Sequence, residues 1–120
     1  LRWYLRSAKQ GYAPAQHEVA GLYGSGQGVK QDLAEAARWY RRAAQQGHVP
    51  AQYSLGLMYY NGQGVRQDNV QAHLWFSLAA EGGEMEAVSQ RDVVTKLMSP
   101  EDIAKAEQLA SKWRAARPAP

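Results

Sequence analysis

His17, His48 and His73 are the residues best suited to metal or acid–base chemistry. No two of them stand four apart, and there is no HExxH pattern, so no helix face offers a ligand pair. Nucleophilic catalysis needs a serine or cysteine beside a base and an orienting acid. The chain has no cysteine, and its serines do not read as having a plausible base and orienting acid. Lack of cysteine also excludes a disulfide scaffold and thiolate zinc sites. The segment GSGQGVKQD is not a phosphate cradle, because it lacks the lysine–hydroxyl ending of a P-loop and follows no strand. Glu84, Glu86, Glu101 and Asp102 read as ordinary helix-start carboxylates that complement the helix dipole. The expectation is no enzyme, no cofactor and no metal.

Two further sets suit binding better than reaction. Trp3, Trp39 and Trp75 have the rings to stack on bases or sugars, but Trp39 and Trp75 fall beside alanine-rich faces and are expected in the core. Arg2, Arg6, Arg38, Arg41 and Arg42 recur on one outer face. Acidic Glu18 and Glu35 interrupt that face and the net charge is only +3, so it reads as solvated, with no nucleic-acid partner.

The elements that carry these residues follow from composition and period. At 120 residues there is room for one domain. Twenty alanines and a single phenylalanine favour packed helices over a sheet. No apolar run approaches the roughly 18 residues of a membrane span, so no membrane insertion is expected.

Trp3, Trp39 and Trp75 are spaced by 36 residues, and residues 3–38 match residues 39–74 at 17 of 36 positions. A degraded third copy keeps Ala80, Gly83 and Ala87, which makes the chain a repeat array. Each unit reads as two helices. Asp32 with Glu35, and Asp68 with Gln71, predict capping boxes. From Asp32 onward, Leu33, Ala36, Tyr40, Ala43 and Ala44 form the apolar face, opposite Arg38, Arg41, Arg42 and Gln45. Gly47 ends that helix in a left-handed conformation, and Pro50 opens the next. Val29 and Val65 are expected to tuck inward and pin the inter-helix loops. Gly56, which costs about 1 kcal/mol in mid-helix, implies close approach of a neighbouring helix.

The C-terminal segment starts with Ser99, Pro100, Glu101 and Asp102, carries the stripe Ile103, Ala106, Leu109, Ala110 and Trp113, and places Lys112, Arg114 and Arg117 near its end, before Pro118 stops it. It reads as the closing part of a solenoid. The units are 1–12 (the second helix of a truncated repeat), 13–47, 48–83 and 84–117 (a degenerate capping repeat), with a tail at 118–120. The fold class is all-α, about three helix-turn-helix repeats with a C-terminal capping hairpin.

The signature from Ala51 through Leu55, Gly56, Tyr59, Gly62, Gly64, Val65, Asp68 and Ala72 to Trp75 and Phe76 resembles the Sel-1-like repeats, relatives of the tetratricopeptide repeat. The Arg91–Asp92 pair and SPEDIAKAEQLASKW resemble the C-terminal closure of bacterial members. The resemblance implies a right-handed α/α superhelix, a role as a protein adaptor, and the C-terminal part of a longer bacterial protein. It implies the periplasm or cell envelope rather than the cytoplasm, in exopolysaccharide or signalling assemblies. A cysteine-rich branch is linked to β-lactam binding, which a chain without cysteine does not inherit.

On the helix from Ala51, the core side takes Ala51, Leu55, Met58 and Tyr59. Tyr53, Leu57, Tyr60 and Asn61 lie opposite and are too apolar for a merely solvated face. With His17 at the equivalent place in the preceding unit, they are expected to line a groove for a protein or peptide. The competing expectation is packing against the adjacent repeat. Trp3 and Tyr4, whose partner helix is absent, are the expected face for homo-oligomer assembly. A cell-wall-directed hydrolase is the third reading and rests on the resemblance alone.

Overall fold

A computed structural model describes residues 1–117, so the expected 118–120 tail and the Pro118 stop lie outside the described residues. The chain folds as seven helices among those residues: α1 (Arg2–Lys9), α2 (Ala13–Ser25), α3 (Leu33–Gln45), α4 (Val49–Asn61), α5 (Asn69–Glu81), α6 (Met85–Thr95) and α7 (Pro100–Ala116). The helix starts obey the capping chemistry only in part. Asp32 accepts the Glu35 N–H at 3.1 Å, and Asp68 accepts those of Val70 and Gln71. The reciprocal half of each expected capping box does not form. The N–H groups of Asp32 and Asp68 instead donate to the carbonyls of Tyr23 and Tyr59, at 2.9 and 3.0 Å. Glu35 is left to pair with Arg38. Each inter-helix loop is thus closed across its mouth by the cap residue itself.

Helices α2 and α3, and α4 and α5, pack as antiparallel-type pairs, and α3 packs on α4 to join them. The core between α3, α4 and α5 holds Ala43, Ala44, Ala51, Leu55, Ala72, Trp75, Phe76 and Ala79. At Gly56 the neighbouring helix approaches closely, as expected: a Cβ there would stand 2.7 Å from the Phe76 ring. Val65 packs on this core, as expected of the loop. Leu33 departs from the wheel and is exposed, because it occupies the first helical position, one turn short of Ala36 and Ala37, where burial begins.

A buried side-chain ladder links successive units. Gln16 in α2 donates to the Ala8 carbonyl at 3.1 Å, and Gln52 in α4 donates to the Ala44 carbonyl at 3.2 Å. Both glutamines are buried, so these bonds are shielded from water. The equivalent residue in α6 is Val88, which has no donor to continue the series.

At the C-terminal end, α6 and α7 both close on α5. Ser99 caps α7 by accepting the Asp102 N–H at 3.1 Å, and Ala106 and Ala110 are its most buried residues. Arg114 and Arg117 do not simply complement their own helix end. Arg114 grips Glu81 of α5 through two nitrogens, while Arg117 lies over Trp113 and donates to the Gln45 carbonyl at the end of α3. Cation placement at a helix C-terminus is favourable, and here the terminus is a neighbour's.

Candidate functional site

Spacing alone sets Tyr53, Leu57 and Tyr60 on one face of α4, and all three are half-buried against the core, while Asn61 at the helix end is exposed. The Tyr53 ring lies tilted on Phe76, with centroids 5.9 Å apart. Its hydroxyl donates to the Glu86 carboxylate at 3.3 Å. Burial first, and then the Glu86 charge, raise the Tyr53 pKa, so the phenol stays protonated. The strip packs on the neighbouring repeat and stays partly open. On α6 the equivalent Ser89, Val93 and Lys96 are exposed.

His17 on α2 occupies the place of Tyr53 one unit earlier and meets Tyr40 edge-on at 5.5 Å. It also meets His48, the cap residue of α4, at 5.3 Å between ring centroids. The two histidines are 31 residues apart, which no single-helix spacing rule detects. The same offset brings Glu84 near Tyr53, so the repeat period itself carried the signal. No group of three or more His, Cys, Asp or Glu among the described residues is placed to hold a metal ion.

Desolvation lowers the pKa of His17 against the opposing pull of Glu18. It also lowers that of His48, with repulsion from His17 adding to the effect. His73 is lowered by burial and by Arg91, with Glu107 opposing. A folded-state pKa below the unfolded value near 6.5 means that the unfolded chain binds protons first as pH falls. Stability conferred by these neutral imidazoles is complete above that pH and is lost as pH drops through the folded values. Urea midpoints measured from pH 7.5 down to pH 5 should therefore fall, and the His17→Gln/His48→Gln/His73→Gln variant should flatten that dependence.

Of the arginines expected as a solvated face, Arg2, Arg6, Arg38 and Arg42 are exposed and Arg41 is half-buried, and three of them also make contacts within the protein. Arg38 pairs with Glu35, Arg42 covers the Trp39 ring at 4.6 Å, and Arg41 turns to the Tyr59 hydroxyl and ring. Trp39 and Trp75 are core residues, 5% and 3% exposed. Trp75 meets Trp113 edge-on, and its buried Nε1 has no hydrogen-bond partner among the described residues. Trp3 and Tyr4 stay apart from all of these on α1, 79% and 46% exposed. Elsewhere on the same helix, Leu1, Arg2, Leu5, Arg6, Lys9 and Gln10 line a broad hollow of about 730 Å³, while Trp3 lines a smaller one with Arg2 and Arg6.

One constellation went unread in the sequence. His73 and Ser77, four apart on α5, are both buried, with Nδ1 and Oγ 3.4 Å apart. They floor a polar cleft of about 370 Å³ between α5, α6 and α7. This supplies the serine–base adjacency that spacing had seemed to lack, and the i, i+4 relation was the available signal. Both residues sit in mid-helix, where backbone N–H groups are committed to the helix, so the donors facing this pair are side chains, Arg91, Ser111 and Arg114 among them.

The chain matches the family model described as Sel1 repeat over residues 1–12, 13–48 and 49–84. It is similar to the crystal structure of c5321, a protective antigen present in uropathogenic Escherichia coli strains and displaying an SLR fold, at 34% identity and a TM-score of 0.90. That match covers 93% of this chain and 24% of the antigen, so the chain spans about a quarter of that relative. It is also similar to a Sel1 repeat protein from Oxalobacter formigenes, at 37% identity and a TM-score of 0.74, covering 76% of this chain and 68% of the other. No curated protein matches the chain.

Proposed function

The chain belongs to the Sel1 repeat family, and from that premise we propose that it presents the open strip of α4 to a protein or peptide partner and performs no chemistry of its own. Sel1 repeat proteins are generally protein-interaction scaffolds. The supporting observation is the half-buried row Tyr53, Leu57 and Tyr60, ending in exposed Asn61, with His17 at the matching place on α2. Rings and aliphatic groups already fixed by packing lose little further entropy when a ligand covers them. No helix among the described residues is long and apolar enough to cross a membrane. A place in the bacterial envelope or a signalling assembly is part of the same reading, supported by a structural neighbour that is a protective antigen.

Affinity capture from a bacterial lysate, followed by titration of the captured protein, tests the strip. Tyr53 supports Phe76 and Glu86, so it is best left intact. Leu57→Ala/Tyr60→Ala should weaken the partner about 10- to 100-fold without altering the far-ultraviolet circular dichroism, as hot-spot residues do. Unchanged affinity in that folded variant would remove the strip from the reading.

The exposed Trp3 and Tyr4 on α1 support a second reading, homotypic assembly. It predicts a concentration-dependent rise in sedimentation coefficient that Trp3→Ser abolishes. A strict monomer across the series would end it.

A further inference from the structure

Positions 37, 41 and 45 of α3 recur 36 residues later as 73, 77 and 81 of α5. In α3, Ala37 is buried in a small cluster with Met58, and Arg41 reaches Tyr59. In α5 the same places hold His73, Ser77 and Glu81. Serine in place of arginine removes bulk, and the cleft of about 370 Å³ occupies this side of α5. The surrounding Leu74, Trp75, Phe76, Leu78 and Ala79 are buried and apolar. Burying an imidazole and a hydroxyl in such a helix costs free energy unless their polar atoms find partners. They have one contact, with each other, and it is long.

The walls hold charges that the fold does not use. Glu81 and Arg114 neutralise one another. Arg91 from α6 and Glu107 from α7 line the same cleft, yet neither enters a salt bridge among the described residues, with the other or with any third group. His73 senses both, one lowering its pKa and the other raising it. A neutral, hydrogen-bonding floor therefore lies between an unpaired guanidinium and an unpaired carboxylate, with the Ser111 hydroxyl on the wall.

We propose that this cleft binds a small carboxylate ligand carrying an amino or amide N–H next to the carboxylate, as a free α-amino acid or the C-terminal residue of a peptide does. Arg91 receives the carboxylate, for which a guanidinium is geometrically matched. Ser77 and Ser111 have hydroxyls to donate to it, and Glu107 accepts the N–H. A phosphate is a poorer fit, because its second charge would face the unpaired Glu107. An apolar ligand would leave the polar floor unpaired. The volume suits a ligand at the small end of the usual range, roughly 300–1,000 Å³. The site is separate from the α4 strip and stands or falls independently of it.

The test is amide-resolved NMR of the full chain titrated with L-alanine, with N-acetyl-alanyl-alanine bearing a free carboxylate, and with the C-terminal amide of that dipeptide. Saturable shifts at His73, Ser77, Arg91 and Ser111 with a free carboxylate, and none with the amide, are expected. A response to alanine alone identifies a free amino acid as the source, and a response to the dipeptide alone identifies a peptide terminus. Arg91→Gln should weaken binding at least about tenfold. Ser111→Leu, at an exposed position on α7, should obstruct the cleft and do the same even if Arg91→Gln fails to fold. No saturable response up to about 20 mM, an equal response to the amide, or unchanged affinity in the folded variants overturns the proposal.

Discussion

Replacing Gly64 with alanine should destabilise the fold by about 3–4 kcal/mol, while the same change at Gly28 should cost about 1 kcal/mol. The two glycines hold equivalent places in successive repeats and nearly the same left-handed φ, +73° and +74°. The conformational penalty for an L side chain is therefore common to both. Their surroundings differ. A Cβ at Gly28 meets nothing within 4 Å, whereas one at Gly64 would strike the Leu33 carbonyl and approach the Ala34 nitrogen at 3.1 Å. The obstruction is backbone, in the first turn of α3, so no rotamer change relieves it. The loop between α4 and α5 would have to lift from the preceding repeat. Urea unfolding of the two variants checks this directly. Equal losses would mean that the loop does not rest on α3 in solution.

Truncating Phe76 to alanine should cost about 3–5 kcal/mol, the usual range for a large core side chain. Its ring is wholly buried, faces Gly56, and carries Tyr53 on it. Gly56→Ala gains about 1 kcal/mol of helix propensity but drives a methyl to 2.7 Å from two ring carbons, and overpacking of that kind typically costs about 1–3 kcal/mol. The prediction is a net loss in the wild type that disappears or reverses beside Phe76→Leu. A coupling of about 1 kcal/mol or more in the double-mutant cycle is expected for groups in contact. Additive effects would show that the ring moves aside freely. In the earlier repeat the corresponding pair is Ala20 and Tyr40, so there the methyl is already accommodated, fully buried, with a half-buried ring at the facing place.

The features legible in the sequence were those written inside one helix or repeated at a fixed period. The 36-residue spacing, the Asp32 and Asp68 caps, the Gly47 terminator and the Gly56 approach are local chemistry, and the structure carries each of them. A helical wheel fails at helix ends and between units. It placed Leu33 in the core because the period continues to the first residue, although burial does not. It placed Arg41 in solvent because it has no knowledge of Tyr59 on the next helix. Glu35 looked like half of a capping box until the Tyr23 carbonyl, nine residues away from Asp32, took the cap's N–H. The His17–His48 contact depends on how units stack, so no reading along one helix exposes it. The polar floor of α5 lies within one helix, where the i, i+4 relation of His73 and Ser77 is its signal. Comparing equivalent places across repeats shows glutamine at 16 and 52, a polar residue kept at a buried station.

That glutamine has a consequence for how such a chain can lengthen. Each unit brings its own donor, and the preceding unit supplies the receiving carbonyl of an alanine at the same place. A tandem gene duplication of residues 13–48 would therefore insert a cassette already compatible with both of its new neighbours, with no compensating change at either seam. Duplication after α6 has no such continuity. Val88 cannot donate, and α7 already covers α5. Growth by unequal crossing-over is thus open within the array and closed at its C-terminal end, so length can drift between lineages while the terminal pair remains in place.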